Sequence, residues 1–366
     1  MIKDSAAFRS ARLFGLAWAC GVLLTVVMIV MAIDNKLPVR DPDDTMLRFP
    51  AILLGVIALD VVPRMVYRAR ARGTWSGAAL RGLLVDVLRE RWPRRQWAFA
   101  LSGLGAWYLC YATFRNVKSM VPFVNHHLWD KDLTRLDRWA WGGHDPAVVL
   151  HHVFGTGLMA HVFSTAYIAW IALVPVSICF ALVWTRATSA GSWYVTAVAI
   201  DWVLGAILYV AVPTLGPIYS SAANFSMLPH TYVTTLEQNL NDDRLAVLAH
   251  PWGSGTLQTI AAFPSLHVGI MTTICLTVTL IGFKRWIQVV SWIFWVITVF
   301  GTMYLGWHFF TDIVSGTVVG AFAVWAAAIG TGNHDGWRLR LRRGPANAAE
   351  PADPLDPSDA RPARLG

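Results

Sequence analysis

Three side chains in this sequence have the types and spacing for phosphoryl chemistry. His267 ends the segment Phe263-Pro264-Ser265-Leu266-His267. His308 ends Tyr304-Leu305-Gly306-Trp307-His308, and Asp312 follows four residues later. Residues four apart on a helix share a face, so the Asp312 carboxylate can hold one imidazole nitrogen of His308. That fixes the tautomer and leaves the other nitrogen as a nucleophile. Phosphorus is a suitable target, because a phosphohistidine is stable enough to turn over. His267 opens a helix, where free backbone N–H groups favour an anion. Its imidazolium is suited to protonating a leaving oxygen, and Ser265 offers a hydroxyl to a phosphate oxygen. The competing reading is two interfacial histidines that only anchor helix ends.

The elements that must position these residues are membrane spans. Of the 366 residues, 55% are hydrophobic and 14% are charged, against about 25% charged in a soluble domain. The apolar residues gather into runs of roughly the 20 residues needed to cross a bilayer. Eight spans are expected, near 13–33, 49–67, 97–114, 159–184, 193–212, 264–283, 286–306 and 310–330. The fold class is therefore an all-α polytopic membrane bundle. Many of the 19 tryptophans, among them Trp92, Trp97, Trp107, Trp184, Trp193, Trp286 and Trp307, fall near span ends, where an amphipathic ring prefers to sit. With the N-terminus inside, 21 of the 30 Lys and Arg residues are cytoplasmic, the bias that sets orientation. The C-terminus is then also cytoplasmic, and both histidine motifs reach the same extracytoplasmic face of a plasma membrane. Topology thus explains the net charge of +8, and no nucleic-acid partner is implied. The first span reads as retained rather than as a cleaved signal.

The other segments sort around these spans. Residues 1–96 read as a transmembrane hairpin plus a basic amphipathic segment, in which Leu80, Leu83, Leu84, Val87 and Leu88 recur at helical spacing. Residues 97–330 form the catalytic core, and 331–366 read as a disordered tail. Arg115 and Lys118 follow the outer end of the third span and are candidate phosphate ligands, or interfacial snorkelling residues. Asp137 and Arg138 either pair with each other or meet a polar acceptor. The adjacent pairs His126-His127 and His151-His152 lack the spacing of a zinc site. The four cysteines read as buried hydrophobes, and no metal or other cofactor is expected. Asp60 and Asp201 lie within spans, where charge is costly. Gly316 and Gly320, four apart, permit close helix packing.

The Pro264-Ser265-Leu266-His267 segment and the His308–Asp312 pair resemble the second and third signatures of the type 2 phosphatidic acid phosphatase superfamily. The resemblance implies that His308 is the nucleophile, Asp312 orients it and His267 protonates the leaving group. It also implies a six-helix core, here spans three to eight. Two features depart from the phosphatase pattern. Gly301 and Thr302 stand where the phosphatases have Ser-Arg, and the first signature, a Lys and an Arg-Pro separated by six residues, is not found. Inositolphosphorylceramide synthases and related bacterial inositol phosphotransferase-like proteins also lack that arginine. They are similar to this chain in Pro213–Tyr219 and in Tyr111–Gly143, which includes Arg115, Asp132, Leu133, Leu136, Asp137, Arg138 and Gly142. The resemblance covers about 110–330.

It implies a phosphotransferase acting on a phospholipid headgroup, with Asp137, Arg138 and Tyr219 as candidate acceptor or headgroup contacts. The partners are then a membrane lipid and a polyol or lipid acceptor. With water as acceptor, the protein would be a phosphatase on a polyprenyl or phosphatidic acid-type phosphate. A lipid transporter without covalent chemistry would need polar groups along a path through the bilayer, and only Asp60 and Asp201 hint at one.

Overall fold

The computed structural model describes residues 13–184 and 187–341. The inside-facing cations expected at Lys3, Arg9, Arg12 and Arg186, and the tail from residue 342, lie outside the described residues.

Helix α1 spans Gly15–Asp34 and packs chiefly on α4 and α8, introduced below. Helix α2, Thr45–Arg72, belongs to a segment bent by 64° near its start. Its main packing partner is α3, Gly77–Arg91. The amphipathic α3 buries Leu83 and Val87. Its end is tied to α2 by Arg91, whose guanidinium meets Asp60 at 2.8 Å, and by the Trp92 indole, which donates to the same carboxylate at 3.1 Å. Asp60 is thus an ion-paired helix anchor.

Helix α4, Arg94–Val124, is 31 residues long, about 46 Å at 1.5 Å per residue. It is longer than the roughly 30 Å hydrocarbon core, so it carries Arg115 and Lys118 beyond the span expected at 97–114. Two short helices, α5 (Asp130–Ala140) and α6 (Pro146–Phe154), precede α7, Leu158–Cys179, which runs on through a π-helical turn to Trp184. Helix α8, Thr188–Ala211, is the most enclosed. The segment after it contains α9, Tyr232–Ala249, started by a Thr231 capping box. Three helices complete the bundle: α10 (Leu266–Ile281), α11 (Arg285–Tyr304) and α12 (Phe310–Thr331).

Helices stand at all eight expected spans. Among the described residues, five (α1, α7 with its π turn, α8, α11 and α12) are long and apolar enough to cross a membrane, and the bent α2 segment makes six. Helix α10 is apolar but only 16 residues long. Helix α4 falls short because Ser102, Gly103, Gly105, Trp107, Tyr108 and Tyr111 dilute its apolar run.

Two expectations are corrected. The tail does not begin at 331: the buried Asn333 bonds to Ser189, and a β-hairpin, β1 (His334–Asp335) with β2 (Arg338–Leu339), follows. Trp92, Trp193 and Trp307 are core rather than interfacial residues, and the fully buried Trp193 donates to the Val324 carbonyl at 2.9 Å. Asp201 is fully buried and accepts from the Thr273 hydroxyl at 2.8 Å, joining α8 to α10.

Candidate active site

Helices α10 and α12 touch backbone to backbone. A Cβ at Gly316 would stand 2.2 Å from the Ser265 carbonyl oxygen, and one at Gly320 would stand 2.2 Å from that of Gly269. Only glycine permits this approach, so the two glycines serve packing within the bundle. Ser265 N–H donates to the Asp312 carbonyl at 3.0 Å, and the Ser265 side chain caps α10 by accepting from Val268 N–H. Ser265, expected to contact phosphate, therefore lies fully buried at a helix junction.

This junction joins the two distant motifs. His267 Nδ1 lies 2.9 Å from His308 Nε2, and His308 Nδ1 lies 3.3 Å from Asp312 Oδ2. That same oxygen accepts from Phe309 N–H at 2.9 Å, which fixes the carboxylate against the loop carrying His308. His308 and Asp312 are buried. Aromatic rings enclose His267: Trp170 at 4.4 Å, Tyr167 at 4.8 Å, and Trp307 stacked on Tyr167 at 5.1 Å. Burial and the Lys118 charge hold the His308 pKa well below the usual imidazole range, partly offset by the Ala262 carbonyl. The ring is therefore neutral, with Asp312 at Nδ1 and Nε2 turned toward His267.

The two candidate cations divide. Lys118 lies near enough to bias His308, its ammonium 4.7 Å from the Tyr209 ring centre, and among the described residues it has no carboxylate partner. Arg115 is engaged elsewhere, paired with Asp43 at 3.0 Å and bonded to the Tyr111 hydroxyl at 2.6 Å.

Asp137 and Arg138 do not pair with each other. Arg138 makes a two-pronged pair with Asp145, at 2.7 and 3.0 Å, which lowers the Asp145 pKa. Asp137 accepts from Phe310 N–H at 2.6 Å and from the Thr311 N–H and hydroxyl at 3.0 and 2.6 Å. It thereby clamps the start of α12, two residues after His308. Burial raises the Asp137 pKa, and these donors partly offset the rise. Tyr219 donates to the Glu237 carbonyl at 3.1 Å, with its ring 6.3 Å from Trp307.

Sequence reasoning missed Asp130, which accepts from Leu215 N–H and Gly216 N–H at 2.9 to 3.1 Å. It pins the Pro213–Tyr219 loop under the site. His151, read in sequence only as lacking the spacing of a zinc site, has its Nε2 2.8 Å from the Tyr304 carbonyl. Neither position carries a spacing signal, because each bonds to backbone far away in sequence.

Two small cavities flank the imidazole pair. One, of about 30 Å³, meets His308 and is lined by Thr134, Asp137, Asp145 and Asn224. The other meets His267 and is lined by Tyr167, Trp170, Gly301 and Thr302. Phe163 stands against Gly301, 3.1 Å from where a Cβ would lie, so an aromatic ring adjoins the position that carries the signature serine elsewhere. Among the described residues, no group of three or more His, Cys, Asp or Glu side chains is placed to hold a metal ion.

The family model of the PAP2 superfamily, the type 2 phosphatidic acid phosphatases, matches residues 131–327. No curated protein and no solved structure matches the chain. Members of the superfamily are typically lipid phosphatases. The match spans more than half of the sequence and includes both histidine motifs, and this chain belongs to the PAP2 superfamily.

Proposed function

We propose that the protein transfers a phosphoryl group from a membrane lipid through a covalent phosphohistidine at the extracytoplasmic face, and that His308, His267 and Asp312 carry the reaction. The observation behind this reading is the 2.9 Å contact between imidazoles 41 residues apart in sequence, one of them backed by a carboxylate.

In this mechanism the substrate phosphate parts the two rings. His308 Nε2 attacks phosphorus, the bond to the leaving oxygen breaks, and His267 gives that oxygen its proton. An acceptor hydroxyl then attacks the phosphohistidine, loses its proton to His267 and releases His308. Asp312 stabilises the charge that develops on the His308 ring, and Lys118 meets the phosphate oxygens. Water as acceptor makes a phosphatase; an inositol-like polyol makes a phosphotransferase.

The polyol reading rests on the resemblance rather than on the site: the cavity on the His308 side, about 30 Å³, has room for about one or two waters, and its Asp137, Asp145 and Asn224 side chains are already paired. Purified protein given a labelled phospholipid, with and without inositol, separates the two. Labelled inositol phosphate or a headgroup-exchanged lipid supports transfer; free phosphate alone, unaffected by inositol, leaves a phosphatase. No phosphoryl release to either acceptor across phosphatidic acid, phosphatidylinositol and polyprenyl phosphate would end the enzymatic reading.

A further inference from the structure

A cavity of about 140 Å³ lies outside the imidazole pair, between α9, the start of α7 and the strap 217–228. Its floor is buried: Ala160 of α7, Val233 of α9, and Leu305 of the loop that carries His308. Ala222 and Ser226 at its rim are exposed. Its volume is close to the roughly 150 Å³ of a cavity that admits benzene, so it has room for about six heavy atoms. Ile218 and Ala222 line this cavity, whereas Pro217 and Ser221 line the smaller one at His308, and Phe225 lines both. The strap is thus a wall between two separate spaces.

One polar side chain in the lining is unengaged. The Thr231 and Thr234 hydroxyls each accept from the other's backbone N–H in the cap of α9. The Ser226 hydroxyl donates to the Ala223 carbonyl at 2.9 Å. Glu237 lines the cavity half-buried, and among the described residues its carboxylate meets neither a hydrogen-bond donor nor a cation. The nearby Tyr219 hydroxyl donates to the Glu237 backbone carbonyl instead, at 3.1 Å. Burial raises the Glu237 pKa to about 8, and nothing offsets the rise. A carboxylate drawn partly out of water without a partner is costly, and a charge-assisted hydrogen bond relieves that cost. The lining narrows the occupant further. A quaternary ammonium is held by a cage of aromatic faces, and Phe225 is the one aromatic ring among the described residues of the wall. A primary ammonium donates directly to the carboxylate, and a short carbon chain behind it meets Ile218, Leu228 and Val233.

We propose that this cavity is a binding site for a small primary ammonium, with Glu237 as its counter-ion. The site is distinct from the imidazole pair, and the assignment does not depend on the phosphoryl-transfer reading. Free ethanolamine and the headgroup of an ethanolamine lipid present the same ammonium, and the two arms of the test separate them.

The test uses the full chain in detergent at about pH 8.5, where Glu237 is largely ionised and the amine is still protonated. In the first arm, ligand-observed NMR follows titration with ethanolamine, ethylene glycol and tetramethylammonium. Ethanolamine should saturate with a Kd of about a millimolar, the scale for a ligand of four heavy atoms. Ethylene glycol, which has the size without the charge, and tetramethylammonium, which has the charge without the donors, should each bind at least about tenfold more weakly. In the second arm, the protein is equilibrated with tritiated dioleoyl phosphatidylethanolamine, washed in detergent and counted for retained lipid. Glu237→Gln, which keeps the shape and removes the charge, should weaken whichever ligand binds by about tenfold or more. Ala222→Phe, at an exposed rim position, fills the cavity and should do the same if Glu237→Gln misfolds. Sensitivity to these substitutions in the first arm assigns a free amine, and in the second a lipid headgroup. Binding that both variants leave unchanged, binding of neither amine, or equal affinity for ethylene glycol or tetramethylammonium overturns the assignment.

Discussion

Replacing Asp137 tests whether an acid on the short helix α5 sets the geometry of the reacting histidine. Its carboxylate is 2% exposed and receives three donors from Phe310 and Thr311. Asp137→Ala strands two half-buried backbone N–H groups and a hydroxyl. At about 1–3 kcal/mol for each stranded N–H, the loss at the start of α12 comes to about 2–6 kcal/mol. Some is recovered if water enters, so about 3 kcal/mol is the working figure. The start of α12 and His308 share one loop, so a shift there moves the nucleophile relative to Asp312. Three kcal/mol spent on restoring the geometry lowers kcat about 100-fold. KM should change by less than about threefold, because the carboxylate acts through α12 and touches no phosphate in this account. Asp137→Asn, which keeps one acceptor oxygen, should fall between the two. The assay is steady-state phosphoryl release in micelles beside thermal unfolding of the same preparations. A variant Asp137→Ala that keeps kcat within about twofold and unfolds like the wild type would refute the clamp, since a loss of even 1.4 kcal/mol is tenfold.

Three further outcomes are expected. Glu237 lies half-buried on α9, and burial raises its pKa to about 8. An acid raised in the folded state stabilises the fold while protonated, so stability should fall as pH rises from about 4.5 toward about 8, by up to about 1.4 kcal/mol per pH unit. Glu237→Gln should flatten that slope in unfolding scans. Gly320→Val places a side chain 2.2 Å from the Gly269 carbonyl position and should cost about 3 kcal/mol or more, read as lower thermal stability and lost activity; a variant as stable as the wild type would show that α10 and α12 do not touch there. Lys118→Ala should lower kcat/KM about 10- to 100-fold, the worth of one charge-assisted hydrogen bond to phosphate. Arg115→Ala should cost much less, since its guanidinium is occupied by Asp43; the reverse order would exchange their roles.

Much of the architecture was legible because membrane spans announce themselves in length and hydropathy. All eight expected segments are helical, and Gly316 with Gly320 marked the contact that joins α10 to α12. The His308–Asp312 pair was readable from four-residue spacing, and its meeting with His267 was expected from the shared membrane face given to the two motifs and from their resemblance to a family's paired signatures. What spacing does not encode is the partner of a polar side chain in an irregular segment. Arg115 and Lys118 look equivalent in sequence, yet Asp43, more than 70 residues earlier, takes one of them. Asp137 and Arg138 are neighbours that turn to different partners. The tail was misread up to Leu341 because its anchors are distant in sequence: Asn333 bonds to Ser189, and Leu339 and Leu341 pack against the apolar cluster around Trp193 and Val324, partners that spacing does not reveal.

The account stands most directly on where the phosphoryl group resides during turnover. Protein quenched during reaction with a lipid labelled in its phosphate should carry one label on His308, stable to base and labile to acid. The label should be absent from His308→Ala and should form slowly in His267→Ala, whose leaving oxygen has lost its proton donor. Label on another residue, or full turnover in His308→Ala, would contradict the account.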